Sequence, residues 1–139
     1  MPGIRDEVVN PLTGERITFV RRAADTGGEL LEMEDLWTRP DHRTVPHVHP
    51  GMEETWEVLE GRAGFRIGDA EHEAGPGESV VAPPGVPHEA WNLGGGATRL
   101  RITMRPALRW EEFVERMFAA PERVAELLPE FPEEVAPAP

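Results

Sequence analysis

The stretch Pro46–Gly61, PHVHPGMEETWEVLEG, decides how this chain reads. His47 and His49 stand two residues apart. In an extended strand, residues i and i+2 project to the same face, so both imidazoles enter one space. A Pro50-Gly51 turn follows, and Glu54 opens a second strand-like run that ends at Glu60. Two imidazoles and a carboxylate from neighbouring strands suit a divalent metal. Further on, PGESVVAPPGVPHEAWN (Pro76–Asn92) delivers a third imidazole, His88, just past a Pro83-Pro84-Gly85 corner. Three histidines and one glutamate make a mononuclear metal site. A lone His-x-His is more often solvated surface than a ligand pair; the carboxylate and the third histidine change that balance.

At these residues the chain resembles the cupins. The first cupin motif reads G-x5-H-x-H-x4-E-x6-G. Here Asp41 stands in place of its first glycine, and His47, His49, Glu54 and Gly61 follow at the motif's spacing. The second motif, G-x5-P-x-G-x2-H-x3-N, is met at every position by Gly77, Pro83, Gly85, His88 and Asn92. Fifteen residues, Arg62 to Pro76, separate the two. The resemblance covers residues 41–92 and implies an all-β fold, a single antiparallel jelly-roll β-barrel with the metal inside its mouth. It implies His47, His49, Glu54 and His88 as the ligands of one divalent transition metal (Fe, Mn, Ni, Cu or Zn). Glu53 competes for the carboxylate role. Glu54 is preferred because it keeps six residues to Gly61 and shares a strand face with Trp56 and Val58. The resemblance also implies a homodimer.

Composition bounds the rest. A chain of 139 residues is long enough for one domain with a real core. It has no cysteine, which excludes disulfides and thiolate chemistry. Every basic residue is arginine, so a lysine Schiff base is excluded, and without tyrosine there is no phenolic acid. The net charge of −12 argues against nucleic acid and anionic membranes as partners, because phosphate binding needs a basic face. A small organic molecule is the expected partner. No apolar run reaches the length of a membrane span, and the opening MPGIRDEVVN lacks the basic and apolar regions of a secretory signal. A cytoplasmic location is expected.

Periodicity places the elements. Residues 1–106 are expected to form the barrel. Short strands are expected at Ile4–Val9, at Glu15–Arg22 with Ile17 and Phe19 inward, and at Glu29–Trp37 with Leu31 and Met33 inward. Residues 39–44 read as a polar loop with a solvated His42. Strands then follow at 54–59, 63–67, 70–73, 79–82 and 88–93, with His72 exposed. In Ala97–Arg105, Leu100, Ile102 and Met104 face in, while the arginines face out. After Pro106 the period changes. Leu108, Trp110, Phe113, Val114, Met117 and Phe118 recur at three- and four-residue steps, as in an amphipathic helix. A second short helix is expected over 122–128, with Pro121 at its start. Residues 107–128 are thus expected to form a helical extension, which either covers one end of the barrel or lies over its opening or against a second subunit. The Pro/Glu/Ala-rich tail, 129–139, reads as disordered.

Four ligands on an octahedral ion leave two positions for a substrate oxygen, water or dioxygen. Trp56, Phe65, Met33 and Met104 are candidates for the cavity wall, although core packing is the commoner role of such residues. No second general base is evident, since Glu53 and Glu57 read as outward. Three functions follow. One is a metal-dependent enzyme on a small organic molecule, either a dioxygenase resembling quercetinase or an isomerase or cyclase. The second is a non-catalytic, metal-stabilised ligand-binding or sensor module. The third is a metal-free structural barrel.

Overall fold

The computed structural model describes residues 6–139. Ile4 and Arg5, expected to begin the first strand, lie outside that range. Ten strands make up most of the fold: β1 (Glu7–Val9), β2 (Arg16–Arg21), β3 (Leu31–Trp37), β4 (His47–Val48), β5 (Glu53–Glu60), β6 (Ala63–Ile67), β7 (Ala70–Ala74), β8 (Ser79–Ala82), β9 (His88–Asn92) and β10 (Thr98–Arg105). They are followed by helices α1 (Trp110–Ala119) and α2 (Val124–Leu127) and by a two-residue strand β11 (Ala136–Pro137). Among the described residues, no helix is long and apolar enough to cross a membrane.

The strands form two antiparallel sheets in a jelly roll. The larger runs β1-β2-β3-β10-β5-β8 and the smaller β11-β4-β9-β6-β7. Alternation decides which side chains lie between them. In β3 every second residue, Leu31, Met33, Asp35 and Trp37, is buried. In β10 the buried set is Thr98, Leu100, Ile102 and Met104, and in β5 it is Glu54, Trp56 and Val58. Register stacks these positions into rows across the larger sheet, such as Phe19–Met33–Ile102–Trp56. Phe65 and Ala90 close the core from the smaller sheet.

One covered glycine and one expectation about the tail stand out. Gly64 alternates outward with Arg66, yet it is fully covered. Its cross-strand partner Trp91 lies flat over it, and the Arg43 guanidinium stacks 4.4 Å above the indole while bound to Glu89 at 3.1 Å. The expected disorder of residues 129–139 is the larger correction. Phe131 is fully buried, and Val135 is nearly so. With Phe113 and Leu127 they form a second apolar cluster beneath α1. Phe131 meets Phe113 edge-on at 5.3 Å, and the Arg109 guanidinium sits 4.4 Å from the centre of its ring. Burying one phenylalanine contributes about 1.5–3 kcal/mol, enough to hold a tail whose composition is otherwise polar and proline-rich. Beyond it, β11 pairs antiparallel with β4, Ala136 opposite Val48 and Pro137 opposite His47.

Candidate metal centre

Three neighbouring segments deliver the site. His47 lies in β4, and His49 follows it at the Pro50-Gly51 turn. His88 begins β9 directly opposite His47 in the ladder. Glu54 projects from β5 in the other sheet, on the inner face it shares with Trp56 and Val58. Glu53 is on the opposite face, so the preference for Glu54 agrees with the geometry. One ligand atom from each of His47, His49, Glu54 and His88 lies within 4.8 Å of all the others. His49, Glu54 and His88 are buried, and His47 is half-buried at the opening.

The outer ring atoms decide what the inner ones can do. Nδ1 of His47 donates to the Val45 carbonyl at 2.6 Å. Nδ1 of His49 donates to the Glu134 carbonyl at 2.7 Å, and Nδ1 of His88 donates to the Val86 carbonyl at 3.0 Å. A carbonyl oxygen only accepts, so each Nδ1 carries the proton and each ring turns Nε2 inward. The Nε2 atoms of His49 and His88 stand 2.8 Å and 3.4 Å from Glu54 Oε1. His88 Nε2 is buried without a hydrogen-bond partner. Lone pairs this close to a carboxylate need a cation between them, either a proton or a metal ion. Burial alone would raise the Glu54 carboxyl, but the imidazoles of His49 and His88 beside it override that and hold it at about 2. Burial and the two neighbouring imidazoles press His47 down to about 4. These residues therefore fit a metal: three inward-turned ring nitrogens and one carboxylate, each imidazole oriented by its own carbonyl.

A cavity of about 450 Å³ opens beside the cluster. Met33 and Trp56, expected on its wall, are there. Phe65 and Met104 are fully buried in the core instead and are not among the lining residues. Sequence reasoning missed much of the remainder. Helix α1 supplies Trp110, Phe113 and Met117, and Trp110 packs edge-on against His49 at 4.7 Å. The tail supplies Val135, Ala136 and Pro137. His42, read as solvated, stacks on Trp37 at 4.9 Å and lines the cavity, and burial lowers it to about 4. Glu15 and Asp35 also line it, so carboxyls other than Glu54 do face the cavity. The clue to Asp35 was available: it is the one charged residue on the apolar face of β3. His72 is exposed on β7, away from the cluster. Asn92 of the second motif is structural: its amide donates to the carbonyls of Arg39 and Gly96, and its Oδ1 accepts from Gly94 and Thr98.

Comparison with known proteins agrees with this architecture. A model of the cupin domain matches residues 38–104. No curated protein matches the chain. Among solved structures, an RmlC-like cupin from Shewanella frigidimarina superposes with a TM-score of 0.64 at 19% identity, over 78% of this chain and 91% of that one. KdgF from Halomonas sp. gives 0.60 at 19% identity, over 67% and 79%. The polyketide cyclase RemF from Streptomyces resistomycificus gives 0.56 at 27% identity, over 66% and 64%. With both motifs in place, two facing antiparallel sheets and a match that spans the clustered histidines and Glu54, residues 38–104 of this chain form a cupin domain.

Proposed function

We propose that the chain is a metal-dependent cupin enzyme. It holds one divalent transition metal through His47, His49, Glu54 and His88 and acts on a small, largely apolar molecule in the adjoining cavity. The observation that carries this reading is the commitment of all three Nδ1 atoms to backbone carbonyls, which leaves three Nε2 atoms and one carboxylate converging. Structural histidines have no reason to be aligned in this way, whereas ligands need it. A bound metal supplies Lewis acidity and, if redox-active, access to dioxygen chemistry. The chain's own residues do the rest. Trp56, Trp110 and Met33 exclude water and grip an apolar body, while the carboxyls at the far end of the cavity can hold a proton. That second capacity favours isomerisation or cyclisation over oxygenation, and RemF, by its name, is a cyclase.

The test is elemental analysis of protein purified without an affinity tag, beside His49→Ala. About one equivalent of a transition metal in the first and little in the second is the expected result. Absence of metal from both after reconstitution would sink the assignment. Metal-loaded protein is then screened against cyclic ketones, flavonols and catechols for product and oxygen uptake. Product without oxygen consumption supports the proton-transfer version. Oxygen uptake supports the dioxygenase, and binding without turnover supports a ligand-binding module.

A further inference from the structure

The chain beyond the matched domain builds one wall of the cavity. Among the described residues, the side chains that line it from Trp110 onward are all aliphatic or aromatic, and none is charged. The charged groups of the cavity come from residues 15–54. Four residues of the apolar wall, Trp110, Met117, Val124 and Leu128, are only half-buried, although each packs against the apolar cluster around Phe131. They line the cavity, and covering their remaining surface with apolar atoms would take it out of water. Position along α1 gives this wall a direction. Trp110 begins the helix and packs edge-on against His49 at 4.7 Å, so the wall starts at the histidine cluster. Met117 follows seven residues later, close to two full turns, and so on the same face. At a rise of about 1.5 Å per residue it lies about 10 Å further along the axis. The start of the helix is fixed to the barrel. Glu111 pairs with Arg22 at 2.7 Å and accepts the Ala23 N–H at 3.1 Å. Of the four, Met117 has the unbranched and most adaptable side chain, and it packs against both apolar clusters.

We propose that Met117 sets the length of the molecule this cavity accepts. That molecule is uncharged, with an oxygen-bearing head at the histidine cluster and an apolar body lying along Trp110 and Met117. The inference deepens the function proposed above and rests on it for the head. The chemistry of the lining fixes the class. An anion would face Glu15, Asp35 and Glu54, and Arg43, which also lines the cavity, is already engaged by Glu89. A cation would lose its water against the apolar wall. Glu15 and Asp35 are hydrogen-bonded to each other, and Glu54 already faces two imidazoles, so neither place offers a free counter-charge. Val45, 78% exposed, lines the cavity where it meets solvent, so the approach is apolar as well.

The experiment measures binding and needs no turnover. The probes are straight-chain methyl ketones of increasing length, from 2-pentanone to 2-dodecanone, with n-octylamine and octanoate as charged comparators. Each is titrated by ligand-detected NMR into metal-free and metal-loaded full-length protein. The proteins are wild type, Met117→Trp, which shortens the cavity, and Met117→Ala, which lengthens it. In metal-free wild type, affinity should rise by up to about fourfold per methylene and then level off at a limiting length. Met117→Trp should move that limit to a shorter ketone, and Met117→Ala should move it to a longer one. Ketones below the limit should bind all three proteins alike. Circular dichroism verifies that each variant folds, and the alanine variant decides the matter if the tryptophan variant does not. A limit that stays in place in the folded variants would overturn the inference, and so would a uniform loss of affinity at every length, which marks looser packing. Tighter binding of the amine or of octanoate than of ketones, or no ketone binding, would overturn it too. Metal content is read on the same samples. Failure to take up metal refutes the proposed function while a limit that moves still supports the role of Met117, and normal metal with an unmoved limit refutes the inference alone.

Discussion

Backbone and indole touch at Gly64, where any Cβ would overlap the Trp91 ring. A methyl group there has no flexible neighbour to displace, because Trp91 is itself pressed by Arg43. Gly64→Ala should cost about 1–3 kcal/mol in urea unfolding and leave metal content unchanged; wild-type stability would show that the indole can lift away. Asp35 gives the second test at this scale. Burial, then the charge of Glu15, raises its carboxyl well above the ordinary 3.8. The neutral acid is the form that the fold tolerates. Its contribution is therefore complete below pH 3.8 and is lost as the pH climbs through the raised value, at about 1.4 kcal/mol per pH unit between the two. Asp35→Asn cannot ionise. Metal-free wild type should lose stability relative to this variant as the pH rises above about 4 toward the raised value, and parallel urea midpoints over that rise would contradict the shift. The clustered residues were legible as letters, since strand spacing together with the motif resemblance singles out His47, His49, Glu54 and His88. Asp35 was legible only as an anomaly: one charge on a buried face says that something unusual happens there, without saying what.

Elements divide by how local their signal is. Strands β2, β3, β5 and β10 follow the two-residue alternation closely, because each has one inner and one outer face. Helix α1 follows its three- and four-residue period for the same reason. The segment 131–137 has no such period. Its order comes from partners distant in sequence, Phe113 and β4, which no local window contains. Composition therefore misled at the tail. The pairing has a functional side, since the Glu134 carbonyl is the acceptor that orients His49. Deleting residues 132–139 removes that acceptor and β11 together. Metal affinity should fall about 10–100-fold, measured by competition with a chelator, while the strand signal in circular dichroism is retained. Undiminished affinity would show that His49 holds its orientation without the tail.

For the whole molecule, the cluster lies where the two sheets meet. His47 and His88 come from β4 and β9 in the smaller sheet, and Glu54 comes from β5 in the larger. An ion bound to all of them would join the layers as a cross-link that the unfolded chain lacks. At free metal a thousandfold above Kd, that linkage is worth about 4 kcal/mol, which is a Tm rise on the order of 10 °C for a domain of this size. Calorimetry with and without chelator measures it. A metal that binds without raising Tm would have to bind the unfolded chain as tightly as the folded one.

The strap over His49 also has a consequence in time. The hydrogen bond from that ring to Glu134 spans 85 residues of sequence. During synthesis, both histidine strands and Glu54 are complete long before their last orienting group emerges. A nascent chain passes through a period in which the ligands exist but His49 is free to turn. Metal taken up then would be chosen by whatever geometry the loose ring adopts, and metal taken up afterwards would be chosen by the finished one. With a metal at this cluster, the tail would set the moment at which the choice of ion is made.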